Sequence, residues 1–388
     1  MSIAWRDAMS RALYGPGGFF VADTGPADHF RTSVHASPAF ATALLRLVTE
    51  VDAALGHPSR LDVVDVGAGR GELLQSLLGL VASAPAVGVA VGVSGEPTRS
   101  GRSGLIPARA GSPETLTPTA SVHRSPDEPS SVAPRTSLAE RIRFTAVEYA
   151  DRPENLPEEI NWTAEIPDRI TGVLLATEWL DNVPLDVAAH TEDGWRYLLV
   201  DPKSGAESVG ELVSPDDLDW LTTWWPGPET PHSNHGRAEI GRTRDEAWAD
   251  AVRKISRGLA VAVDYGHLRE SRPVNGTLTG YRGGRQVPPV PDGSSDVTAH
   301  VAMDSVASAG AAVARCAYSL VLQREALRAL GADGGRPPLS LAGTDPVGYV
   351  RALAAASAVA ELTDPAGLGG HWWLRQPVGI PLGPAVAR

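Results

Sequence analysis

A doubly wound α/β fold follows from three segments and what lies between them. Residues 61–66, 172–177 and 259–264 read as apolar strands throughout, the mark of a parallel sheet covered by helices on both faces. Helical patterns alternate with them, which argues for the doubly wound arrangement. In such a fold ligands bind where the strands end at their carboxyl edge.

Taken in order, the N-terminal 58 residues mix helix and loop. "SPAFATALLRLVTEVDAAL" predicts a helix, with Ser37 as cap, Pro38 in the first turn and helical apolar spacing. Leu61 to Val66 is a strand and Glu72 to Ala82 a helix. From Ser83 to Ser137 the chain is rich in Pro, Ser, Thr, Gly and Ala and nearly devoid of large apolar side chains. Such a stretch cannot offset its ordering entropy, and it predicts a disordered insertion in a surface loop. The strand-helix pattern then resumes. "RIRFTAVEYADRP" is a strand ending in Glu148, and "ITGVLLATEWLDNVPLDV" is an apolar strand followed by a polar turn. "DVAAHTEDGWRYLLV" predicts a hairpin, and Trp224-Trp225 a buried packing pair. "EAWADAVRKISRG" predicts a helix closed by Gly258, "LAVAVDYGHLRE" a buried strand, and "DVTAHVAMDSVASAG" a short strand leading into a helix. "GGHWWLRQPVG" is a last strand.

Composition narrows the function. The 388 residues are 43% hydrophobic and 21% charged, ordinary for a globular protein. No run of about 18 apolar residues predicts a membrane span. The first residues carry charges where a signal peptide needs an apolar core, so a cytoplasmic location is expected. One cysteine, Cys316, excludes an intrachain disulfide and a cysteine-cluster metal site. The net charge of −12 and the lack of a Lys/Arg cluster argue against a nucleic-acid partner. An acidic balance suits a cationic substrate or cofactor.

"VVDVGAGRGELLQSLL" sets Gly67, Ala68, Gly69 and Gly71 between a strand and a helix, with Asp65 just ahead. Glycines there permit a tight bend and close backbone approach of a ligand, and the helix beyond offers unpaired N–H groups. Dinucleotide sites prefer G-x-G-x-x-G. The D-x-G-x-G-x-G spacing here is instead similar to the first motif of class I methyltransferases, which counts against a nicotinamide-dependent oxidoreductase. That similarity implies that the loop takes the methionine end and ribose of S-adenosyl-L-methionine, and that Asp65 helps hold its ammonium group. A second acid should end the next strand and bind the ribose hydroxyls, usually about 20 residues on. Spacing favours Glu96; strand quality and the order of later elements favour Glu148, which is taken here.

Seven segments, "ALYGPGGFF", "HFRTSVHASPAF", "VVDVGAGRGELL", "LLATEWLDNVP", "AVDYG", "GTLTGYR" and "SDVTAHV", occur in the order seen in the MidA-like (DUF185) methyltransferases. The chain resembles that family from about Tyr14 to about Gly379, apart from the insertion. The family includes a mitochondrial protein-arginine methyltransferase that acts in complex I assembly. The resemblance implies a mostly parallel seven-stranded methyltransferase-type sheet with added helical and β insertions, S-adenosyl-L-methionine as cofactor and a protein substrate, arginine by the same resemblance. It divides the chain into an N-terminal cap, 1–58; a core, 59–82 and 138–388, with a substrate-side insertion around 186–245; and the loop insertion, 83–137. Glu178, Asp181 and Pro184 match the family pattern after the strand, whereas Thr177 and Asn182 do not, and His35 stands where an acid is common.

Methyl transfer to a guanidinium needs carboxylates that orient the acceptor and take up its proton. Glu178 and Asp181 follow a buried strand directly, and a helical turn would put both on one face. Tyr265, in Asp264-Tyr265-Gly266, reaches the same edge and could orient the acceptor. Asp296, Thr298 and His300 alternate and share one face if extended. They lack a third ligand, so no metal is assigned. In the N-terminal segment Arg31 is a partner for the cofactor's carboxylate, with Thr32 and Ser33 as hydroxyl donors. The competing reading, from another class, is an assembly factor that keeps the fold without catalysis.

Overall fold

The computed structural model of the chain describes residues 1–21, 33–83, 136–225, 236–332 and 334–382. Nearly all of the insertion placed at 83–137 lies outside them, as do Glu96, Arg31 and Thr32.

Seven strands form the central sheet: β1 (Leu61–Val66), β2 (Ile142–Val147), β3 (Ile160–Thr163), β4 (Ile170–Thr177), β5 (Ile255–Asp264), β6 (Ser319–Leu322) and β7 (Trp372–Val378). Their spatial order is β6-β7-β5-β4-β1-β2-β3. The sheet is mixed. From β5 to β3 the neighbours run parallel, while β7 is antiparallel to both β5 and β6. Strand order reverses beside β1, whose neighbours are β2 and β4, and that reversal opens a crevice at their carboxyl ends.

Successive residues of a strand face opposite sides, so an apolar strand must bury both. Val63, Leu175 and Val261 pack with the helices Pro38–Ala54 and Glu72–Ser83, whereas Val64, Leu174 and Ala260 pack with Arg242–Arg253 and Met303–Ala314. Ser37 caps its helix as the sequence predicts, its side chain accepting from Ala39 N–H at 3.0 Å.

Gly258 does not close a helix. The helix ends at Arg253 and β5 has begun by Ile255. Gly258 pairs with Gly172 in the sheet at φ 147°, and a Cβ there would lie 1.9 Å from the Gly172 carbonyl oxygen. The glycine permits close strand approach, a role that looks the same in sequence as a helix stop.

A second sheet lies beside the first. Asp186–Thr191 and Gly194–Val200 form the expected hairpin, flanked by Glu207–Leu212, Arg237–Ile240 and Ile3–Ala4. The first residues of the chain thus pair with the region around 186–245, and the Trp5–Tyr14 helix packs on that sheet, bringing Tyr14 to the crevice. Trp225 is buried against the His267 ring. The strand Asp296–Thr298 stops short of His300, so the three residues do not alternate along one strand.

Candidate active site

The crevice is a cavity of about 980 Å³. Its floor is the loop after β1, where Gly67, Gly69 and Gly71 hold φ of 71°, 59° and 78°, a region that side chains beyond Cα disfavour. Gly67 N–H and Ala68 N–H donate to the Val147 carbonyl at 3.0 and 3.3 Å, tying the loop to the end of β2. Gly67, Ala68 and Gly69 line the cavity. Gly71 lies off its wall: a Cβ there would meet Leu156 Cδ1 at 2.7 Å, so its glycine serves packing.

Two carboxylates flank the loop. Glu148 accepts Gly69 N–H at 3.0 Å through Oε2 and Tyr149 N–H at 2.7 Å through Oε1. Burial still pushes its carboxyl above the ordinary range, against those backbone bonds. Asp65 is 2% exposed, lines the cavity, and its Oδ1 is buried without a hydrogen-bond partner. Burial, then Glu72 and Glu148, pushes its carboxyl up to about 8. A buried acid with an unmet oxygen fits a cationic ligand group, which would satisfy the oxygen and favour ionisation. A glycine loop leaving backbone exposed beside it fits the rest of an aminoacyl nucleoside.

The carboxyl end of the neighbouring strand β4 is acidic in a different way. Glu178 follows β4 at φ 52° and donates its N–H to the Val263 carbonyl at 2.7 Å. Its Oε1 accepts Ser33 N–H at 3.0 Å. A 3₁₀ turn, Leu180–Asn182, carries Asp181. Asp181 Oδ2 accepts from the hydroxyls of Thr298, at 2.6 Å, and Tyr265, while its buried Oδ1 has no hydrogen-bond partner. Burial raises the Asp181 carboxyl, and the two hydroxyls and Arg244 oppose that rise. Asp264, at the end of β5, is pushed well above the usual carboxylate range by burial, with Asp181 and Glu178 adding to it. Burial and Asp181 do the same to Asp296, whose Oδ1 accepts Asn182 Nδ2–H at 2.7 Å.

Beneath this cluster Arg244 is 1% exposed and donates to the carbonyls of Val183, Ala299, His300 and Asp181. It therefore fastens the turn after β4 to the 298–300 loop and supplies a buried positive charge. Tyr265 lies between His300 and His371, with ring centroids 5.1 and 5.6 Å away. Burial lowers both histidines, His371 to about 4, so they are neutral near pH 7.

Asp65, Gly67, Ala68, Gly69, Glu148, Glu178, Asp181 and Tyr265 all line the same cavity. Ser33 does not line it; its hydroxyl faces Gln323 and its backbone supports Glu178. Sequence reasoning missed Tyr14, whose hydroxyl donates to the Asn182 carbonyl at 3.2 Å, together with Arg244 and His371. Only Tyr14 and His371 carried a signal, since both stand inside segments already singled out. Among the described residues no group of three or more His, Cys, Asp or Glu is placed to hold a metal ion, and no helix is long and apolar enough to cross a membrane.

Fold and site together define an α/β protein whose cavity at the strand ends joins a glycine loop and a buried, unpartnered acid to a second group of acids. Residues 119–320, just over half of the chain, match the family described as "Putative S-adenosyl-L-methionine-dependent methyltransferase", and the chain belongs to that family. Its cofactor is S-adenosyl-L-methionine. A curated relative, the mitochondrial protein arginine methyltransferase NDUFAF7 of Xenopus tropicalis, is 25% identical over 175 residues, which span 44% of this chain and 40% of that protein. Two Burkholderia thailandensis structures of the COG1565 superfamily share the fold. One, solved with S-adenosyl-homocysteine bound, superposes with a TM-score of 0.69 at 21% identity over 99% of this chain and 90% of that one. The other, a native structure, gives 0.68 at 22% identity over 100% and 90%.

Proposed function

We propose that this methyltransferase acts on an arginine side chain of a protein. The observation that carries the reading is the group of acids that Glu178, Asp181 and Asp296 present to the cavity, with Asp264 bracing Asp181 from behind. Several buried acids around one turn suit a planar cation that offers several N–H donors. The relative's name and the resemblance of the motifs support the same substrate class, and the cavity has the volume for a cofactor and a side chain together.

When bound, S-adenosyl-L-methionine supplies an electrophilic methyl carbon on a sulfonium. Asp65 would hold the ammonium group, the loop from Gly67 to Gly69 would receive the chain beside it, and Glu148 would hold the ribose hydroxyls. Glu178 accepts hydrogen bonds from the guanidinium and aligns one nitrogen for in-line attack, which is most of what the protein must do. Methylation of that nitrogen would break the methyl–sulfonium bond, its electron pair staying on the departing sulfur, and would release one N–H proton, for which Glu178 is the acceptor. Asp181, steadied by Tyr265 and Thr298, balances the second edge of the guanidinium.

The test is methyl transfer from labelled S-adenosyl-L-methionine into a protein extract of cells lacking this gene, with the modified residue read by mass spectrometry. Label on arginine that disappears with Glu178→Gln, while S-adenosyl-homocysteine still binds that variant by calorimetry, supports the reading. Label on another residue type overturns the arginine assignment, and no protein label at all overturns the protein substrate.

A further inference from the structure

Glu178 sits in a closed ring of contacts. Ser33 N–H donates to its Oε1 at 3.0 Å. The Ser33 hydroxyl lies 3.3 and 3.1 Å from the side-chain oxygen and nitrogen of fully buried Gln323. Gln323 N–H donates to the His371 carbonyl at 2.7 Å, and His371 N–H to the Leu368 carbonyl at 3.1 Å. The ring closes where His371 Nδ1 faces Glu178 Oε1 at 4.0 Å, just beyond hydrogen-bond reach. That Nδ1 is buried and has no other partner.

The imidazole is neutral near pH 7, so one ring nitrogen carries a proton and the other a lone pair. The groups facing it are Glu178, the Tyr265 ring and His300. A lone pair on Nδ1 would point at the lone pairs of a carboxylate; a proton there meets an acceptor. The backbone on both sides of the ring is fixed, so a small movement of either side chain closes the gap. We propose that His371 is a positioning residue for methyl transfer: with its proton on Nδ1 it donates to Glu178 and fixes the direction in which that carboxylate meets the acceptor nitrogen. The proposal rests on the role given to Glu178 above.

Asparagine places an amide N–H where Nδ1 stands, and glutamine places it one atom too far. His371→Asn should keep kcat near the wild-type value, while His371→Gln and His371→Leu lose about tenfold or more. KM for S-adenosyl-L-methionine should stay unchanged in all three. Wild-type kcat in His371→Leu, or a loss in His371→Asn equal to that in His371→Leu, overturns the proposal. A second readout needs neither turnover nor a variant. Nitrogen-15 NMR of the wild type without cofactor should find Nδ1 of His371 protonated and Nε2 bare between pH 6 and 8. The opposite tautomer overturns the proposal. A wild type that transfers no methyl sinks the reading of Glu178 instead, and the tautomer still decides the Nδ1 contact.

Discussion

Asp264 holds Asp181 by its backbone. Oδ2 of Asp264 accepts the N–H of Asp181 at 3.2 Å and that of Leu180 at 3.0 Å. The last residue of β5 thereby shapes the turn after β4, and the carboxylate of the "DYG" motif itself acts as a brace for the acid that faces the cavity.

Removing that brace should be read first in stability. Asp264→Ala leaves two buried N–H groups unmet, at about 1–3 kcal/mol each, whereas Asp264→Asn keeps an oxygen in place. Urea unfolding should find the alanine variant less stable by about 2–4 kcal/mol and the asparagine variant within about 1 kcal/mol of wild type. Equal stabilities for the two would mean that the bonds to Leu180 and Asp181 contribute nothing.

Asp65 gives the chain a pH dependence of definite sign. Burial pushes its carboxyl up to about 8 in the fold from an ordinary 3.8. Between those values the folded chain binds more protons at this site than the unfolded one, so stability from this group is full below about pH 4 and is lost as pH rises toward 8. Asp65→Asn has no such titration. Without cofactor it should match the wild type near pH 4 and exceed it at pH 8 by on the order of a few kcal/mol. The difference between their unfolding free energies, measured from pH 5 to 8.5, should grow with pH. A difference that stays flat sinks the assignment, and unimpaired S-adenosyl-homocysteine binding by Asp65→Asn argues against its role at the ammonium group.

Gly69 and Gly71 should separate by phenotype although they look alike in sequence. At Gly71 a Cβ would strike Leu156 at 2.7 Å, while at Gly69 the nearest atom is Glu72 Oε2 at 3.5 Å. Both hold positive φ. Gly71→Ala should therefore lower stability by about 1–3 kcal/mol and leave calorimetric affinity for S-adenosyl-homocysteine intact once folded. Gly69→Ala should lose less stability, about 1 kcal/mol, and weaken affinity, because Gly69 lines the cavity and a methyl there adds bulk at the ligand's place. The reverse pattern would move the ligand to the other end of the loop.

These contrasts show what the sequence could and could not convey. Apolar runs such as Val173 to Ala176 admit few environments, so β1, β4 and β5 and the edge where their acids gather were legible. The hairpin was legible too, with Glu192 and Asp193 bridging Thr191 and Gly194. Gly258 was misread because glycine marks a helix end and a close strand approach alike. The mixed character of the sheet depends on β7 entering against β5, a long-range pairing that alternation of elements does not encode. Arg244 left no trace, since one arginine in an amphipathic helix looks solvated until four carbonyls close around it. Tyr14 and His371 reach the cavity from opposite ends of the chain, which a reading of local motifs does not join.

Glu178 carries the last prediction. It is one of four non-glycine residues with positive φ among those described, and of them the one on the cavity wall. A side chain at φ 52° is strained by about 1 kcal/mol or more; asparagine tolerates that conformation and glycine is indifferent to it. The strain is offset by the Ser33 bond to Oε1 and the bond from Glu178 N–H to Val263. The backbone bond survives any substitution, and the Ser33 bond does not survive glycine. Glu178→Asn and Glu178→Gly should unfold in urea no earlier than the wild type, while methyl transfer falls by at least about a hundredfold. A residue kept at some cost to the fold for the chemistry it performs behaves in this way. Loss of more than about 1 kcal/mol in both variants would show that Glu178 is held mainly by its support of Ser33, and would place its value in the fold.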